Sequence, residues 1–152
     1  FFIAYSSIYY EKKYPKAIDI TKSFYEYPIV KKTFKKSKSV LLADIDIWLP
    51  IDDSILFNYC TVYGDDCMIG TVTALKNELD SINKKLWKAD EQTILSWLEQ
   101  DIYIPSNKSL FDRIIGNKEI YEIEPLFKYS FAMFYKYTSY ALEYNLPIKL
   151  DY

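Results

Sequence analysis

The sequence predicts an α+β domain with a mainly antiparallel sheet. Strand-like runs of β-branched and aromatic residues are concentrated before residue 64, and apolar residues at helical spacing dominate after residue 70. The order of strands, then helices, then a short terminal strand-like segment is that of an α+β domain. Its centre is a hairpin near 39–63, packed by several helices that include a long C-terminal one. At 152 residues, half of them hydrophobic, the chain can bury a substantial core as a single domain spanning 1–152.

Taken in order, FFIAYSSIYY (1–10) is β-branched and aromatic and reads as a strand. DITKSFYEY (19–27) reads as a short helix capped by Asp19 or Thr21 and ending before Pro28. In the basic stretch that follows, Ile29, Val30 and Phe34 are placed to anchor one helical turn on the core. SVLLADIDIWL (39–49) alternates from Ala43, with Ile45, Ile47 and Leu49 on one face and Asp44, Asp46 and Trp48 on the other. PIDD is turn chemistry, SILFNYCTVY (54–63) is the second arm of the hairpin, and GDDCMIG (64–70) is the loop leaving it. Cys60, in an apolar strand pattern, reads as a small buried hydrophobe.

Helices follow. Leu75, Leu79, Ile82 and Leu86 recur at helical spacing behind Thr71 or Thr73 as N-cap, and Asp90 caps a second helix with Ile94, Trp97 and Leu98 on one stripe. DIYIP (101–105) reads as a short strand, and SLFDRIIG (109–116) as a short helix stopped by Gly116. The longest helix starts at Pro125 and runs to about Asn145. Its buried face is Leu126, Phe127, Ser130, Phe131, Phe134, Tyr137, Thr138 and Ala141. LPIKL (146–150) returns as a strand.

Charge is unevenly distributed. Residues 1–40 hold nine lysines against three acids, a net of +6, and the remainder nets −8. Such polarity gives two electrically different surfaces. Two cysteines are too few for a disulfide scaffold and point to a reducing, cytoplasmic setting. No 18-residue apolar run is present to span a membrane. The N-terminal stretch lacks the basic region and cleavage motif of an intact signal peptide.

The chain has no histidine, which removes serine–histidine and cysteine–histidine catalysis and the commonest zinc ligand. With three glycines and no glycine-rich phosphate motif, nucleotide cradles are also disfavoured. Asp44 and Asp46 form a D-x-D pair, a pattern that a solvated strand face explains as well as a metal site does. The expectation is therefore a non-enzyme without metal or cofactor. KKTFKKSK (31–38) sets five lysines around a phenylalanine and makes a nucleic-acid-associated accessory protein the alternative reading.

The stretch 41–66 holds six aspartates and no lysine or arginine. Trp48 shares the proposed outer face with Asp44 and Asp46, Asp52 and Asp53 follow in the turn, and Asp65 and Asp66 close the partner arm. An indole among carboxylates has the composition of a binding hot spot for a basic protein surface. Glu78, Asp80, Asp90 and Glu91 form a weaker second acidic set.

The segments GTVTALKNELDSI (70–82) and YALEYNLPIKL (140–150), together with the aromatic helix between them, resemble small immunity proteins of bacterial polymorphic-toxin systems. The resemblance covers about a third of the chain. It implies a cytosolic protein that binds a cognate toxin domain and occludes its active site, with no catalytic residues of its own. The charge pattern adds that the toxin is basic, a nuclease being one such class.

Overall fold

The computed structural model describes residues 2–14, 17–19, 23–36, 45–60, 62–64, 66–100 and 120–150. The α+β class is what it shows: helices packed on a four-stranded mixed sheet, mostly antiparallel, with a long C-terminal helix.

The helices are α1 (Phe2–Tyr9), α2 (Pro28–Lys36), α3 (Val72–Leu86), α4 (Glu91–Ser96) and α5 (Ile123–Tyr144). The strands are β1 (Ala17–Asp19), β2 (Ile45–Leu49), β3 (Leu56–Cys60), β4 (Asp66–Thr71), β5 (Ile120–Glu122) and β6 (Ile148–Lys149). The larger sheet has the order β3-β4-β2-β6, and β1 and β5 form a separate antiparallel pair.

The hairpin near 39–63 is re-paired. β3 pairs antiparallel with β4, and β4 lies between β3 and β2, running parallel to β2. The segment expected as a loop, 64–70, thus contains most of the central strand. Its glycines and aspartates have low strand propensity, yet Met68, Ile69 and Gly70 are paired on both sides, and tertiary pairing overrides propensity. A strand was also expected over 1–10, where α1 forms. Tyr5 and Ile8, three apart, pack on the core while Ser6 and Ser7 are buried, which is helical spacing and not alternation. Of the helix expected over 19–27, the described residues show a 3₁₀ turn at Phe24–Glu26, with Asp19 ending β1; residues 20–22 lie outside the described residues.

Other elements match the sequence reading. Thr71 caps α3, its hydroxyl accepting from Ala74 N at 3.2 Å, and Asp90 caps α4, accepting from Thr93 N at 2.8 Å. α2 puts Val30 and Thr33 inside, with Ile29 and Phe34 half-buried beside them. Along α5, Phe127, Phe131, Thr138 and Ala141 are buried, but Tyr137 is exposed. Its position at the margin of the apolar stripe lets the phenol stay in water. The segments 39–44, 101–105 and 109–116 lie outside the described residues.

The main core gathers Ile45, Trp48, Val72, Leu75, Leu79, Ile82, Ile94, Trp97, Phe131 and Ala141. Trp87 sets its ring edge-on to Trp97 and Phe131, at 5.1 and 5.0 Å between centroids. A smaller cluster of Val30, Ile123 and Phe127 joins it through Leu86 and Trp87, which pack on both. Three helices are followed by a non-glycine residue in the left-handed region: Glu11 after α1, Lys88 after α3 and Asn145 after α5. At Glu11 (φ 52°), Lys12 N donates to Ser7 O at 2.9 Å. At Asn145 (φ 54°), Leu146 N donates to Ala141 O at 2.9 Å. Both patterns close the last helical turn and redirect the chain.

Candidate functional site: the outer face of the sheet

Strand register decides which side chains reach solvent. Leu56 and Met68 pack against the main core, and Leu56 pairs with Gly70, so the alternate positions Phe57, Tyr59, Cys67 and Ile69 face outward. Ile47, opposite Ile69 and Lys149, continues this outer face across β2. β3 is an edge strand, and both Phe57 and Tyr59 are exposed. Beyond it, in the turn to β4, Val62 and Tyr63 are 95% and 90% exposed.

Trp48 is not on this face. It is 2% exposed and packs edge-on to Phe134, 6.5 Å between centroids. The cause is a bulge in β2: the register shifts between Ile45 and Ile47, so Asp46 is the extra residue. One inserted residue reverses the phase of everything after it, and Ile45 and Trp48 end on the same, inner side. Gly70 accommodates them. A Cβ there would lie 2.9 Å from Trp48 Cδ1 and 3.2 Å from Ile45 Cδ1. The indole Nε1 is buried without a hydrogen-bond partner.

The aspartates divide into three groups. Asp52 and Asp53 are exposed in the β2–β3 loop, between the exposed Ile51 and Ile55. Asp46 and Asp66 are placed by their backbones, in β2 and at the start of β4. Asp44 and Asp65 lie outside the described residues. The 50–55 loop is held at both ends by threonines of α3's N-terminus: Thr73 Oγ1 donates to Ile51 O at 2.9 Å, and Ile55 N donates to Thr71 Oγ1 at 3.2 Å. The loop therefore rests on the end of α3 that carries partial positive charge, a setting that tolerates adjacent carboxylates.

The second acidic set serves the fold. Lys76, one turn earlier on α3, is paired with Asp80 at 2.5 Å, and Asp90 is spent as a cap. Hydrogen bonds from Thr93 lower the Asp90 pKa below the ordinary carboxylate value. Glu91 is exposed in the first turn of α4, while Glu78 is half-buried and engaged.

Cys60 is exposed and not buried as expected, because β3 is an edge and not the covered arm of a hairpin. Tyr59, not Cys60, sits opposite Cys67, so the two thiols point to opposite faces and do not bridge. Among the described residues no cluster of three or more acidic or cysteine side chains is arranged to hold a metal. No described helix is long and apolar enough to cross a membrane.

A second exposed feature escaped the sequence reading. An apolar groove of about 440 Å³ runs between the C-terminal half of α5 and β6, walled by Phe134, Tyr137, Tyr140, Leu146 and Ile148. The signal was present in the spacing of Tyr137, Tyr140 and Tyr144, which line one side of the helix away from Phe131. Comparison with family models, with curated proteins and with solved structures returns no match.

Proposed function

We propose that this chain is a non-catalytic inhibitor of the immunity-protein kind, which covers a basic toxin domain with the outer face of its sheet. The observation that carries the reading is the coincidence of Phe57 and Tyr59 on an exposed edge strand with Asp52 and Asp53 in the loop that enters it. Aromatic side chains supply contact area at low entropic cost, and unneutralised carboxylates at their margin supply steering and register. Tyr59 and Tyr63 take the role that the sequence reading gave to Trp48. Occlusion needs no turnover and no cofactor.

The test is co-purification with the protein encoded by the adjacent gene, together with rescue of cells that express it. Asp52→Lys with Asp53→Lys is expected to weaken association at least tenfold at low salt, with an unchanged melting temperature. Tyr59→Ala with Tyr63→Ala is expected to cost as much at any salt concentration. Absence of both association and rescue for the unaltered chain overturns the proposal. Equal binding by the variants moves the interface elsewhere.

A further inference from the structure

The half of the molecule opposite in charge carries a different site. α1 ends at Glu11 in the left-handed conformation, and the Lys12 N–H closes the turn on Ser7 O. That reversal brings Lys12 and Lys13 to the start of α2, where they line one pocket with Lys32, Tyr10 and Tyr27. The pocket is about 300 Å³, and among the described residues no carboxylate lines it. It is fixed from within: the Tyr10 hydroxyl donates to Lys32 O at 2.5 Å and the Tyr9 hydroxyl to Lys36 O at 3.4 Å. These bonds tie α1 to α2 and hold two phenol rings at the margin of the lysines.

α2 extends the charge. Lys31, Lys32, Lys35 and Lys36 are all exposed, in two adjacent i,i+4 pairs, 31 with 35 and 32 with 36. Their like charges repel along the helix, an arrangement that costs stability and is relieved by a bound polyanion. None of these four lysines, nor Lys12 or Lys13, is in an ion pair with a described residue. Glu11 and Glu26, on the same stretch of chain, and Glu124, which acts on Tyr14 beside Lys13, are exposed and do not line the pocket.

We infer that the α1–α2 unit binds single-stranded nucleic acid, with phosphates on Lys12, Lys13 and Lys32 and bases stacked on the exposed Tyr9 ring and the half-buried Tyr10 ring beside it. A lysine track interleaved with aromatic rings suits a flexible single strand, whose bases are free to stack. Lysine in place of arginine supplies charge without the forked donors that read base edges, so binding is independent of sequence. The site lies in a different part of the chain from the sheet face and does not depend on the inhibitor reading.

Fluorescence anisotropy with labelled 20-nucleotide oligo(dT), oligo(dA) and a duplex of the same length tests it. The logarithm of affinity should fall with the logarithm of salt at a slope of about −2, as expected when three phosphates of a single strand are neutralised and their counterions released. Lys12→Glu, Lys13→Glu and Lys32→Glu together should reduce affinity at least tenfold, while Lys84→Glu with Lys85→Glu at the end of α3 should change it less than twofold. Tyr10→Leu should cost about fivefold, the lower end of one base–aromatic stack. The lysines are at the surface, and circular dichroism verifies each fold; Lys13→Gln with Lys32→Gln is the milder second variant, with a smaller loss of the same sign. No binding at 50 mM salt, duplex bound as tightly as the single strand, or equal losses from the α3 control pair each overturn the inference.

Discussion

Thr71 joins the sheet, α3 and the acidic loop through one oxygen. Its Oγ1 accepts from Ala74 N, capping α3, and from Ile55 N, closing the 50–55 loop. Thr71→Ala removes both bonds and a buried methyl group, whereas Thr71→Ser removes only the methyl. The difference between the two variants therefore isolates the hydroxyl. Loss of an N-cap costs about 1 kcal/mol. The Ile55 amide is partly accessible, so water replaces part of that bond, and its loss adds about 0.5–1 kcal/mol. The alanine variant should thus be about 1.5–2 kcal/mol less stable than the serine variant, or roughly 3–8 °C lower in melting temperature for a chain of this size. Urea unfolding followed by far-ultraviolet circular dichroism measures it. Amide exchange at residues 51–55 should quicken in the alanine variant and leave α4 unchanged. A difference between alanine and serine below about 0.5 kcal/mol refutes the argument that this oxygen does both jobs.

Gly70→Ala places a methyl group 2.9 Å from Trp48 Cδ1 and 3.1 Å from Nε1. Overpacking of this kind should cost about 1–3 kcal/mol in urea unfolding, and Gly70→Ala combined with Trp48→Phe should recover part of it. At Asn145, held at φ 54°, Asn145→Gly should be neutral or stabilising, while Asn145→Val should lose about 1–2 kcal/mol by the same assay. Asp90 has its folded pKa lowered by Thr93, so its contribution is complete above the ordinary value of 3.8 and disappears as pH falls through the folded pKa. A plot of stability against pH should therefore lose slope in this acidic window in Asp90→Asn and be unchanged above pH 5.

The helices were legible because their signals are local. Thr71 and Asp90 announce α3 and α4, and Leu75, Leu79 and Ile82 are buried as their spacing requires. The sheet was less legible because pairing is not local. Nothing in GDDCMIG states that it will be gripped from both sides, and the bulge at Asp46 becomes visible only when β2 is laid against Met68 and Ile69. That single unread residue moved Trp48 from the expected surface to the core. The acidic loop was read correctly at Asp52 and Asp53, because PIDD carries its turn chemistry in its own residues. Trp48 was expected at the surface and Cys60 in the core because strand pairing and the bulge that set their faces are not written in the local sequence.

The strand order also prescribes a sequence of assembly. β3 and β4 are joined by a short turn and can zip together on the microsecond scale typical of hairpins. β2 must then slide in alongside β4 in the same direction, a slower closure across an intervening strand. β6 arrives only after α5 has been synthesised, so on the ribosome the far side of β2 waits bare for about a hundred residues of chain. Until then β2 is a second open edge for foreign strands, and the two-residue latch at Ile148–Lys149 is what finally covers it, leaving β3 as the exposed edge.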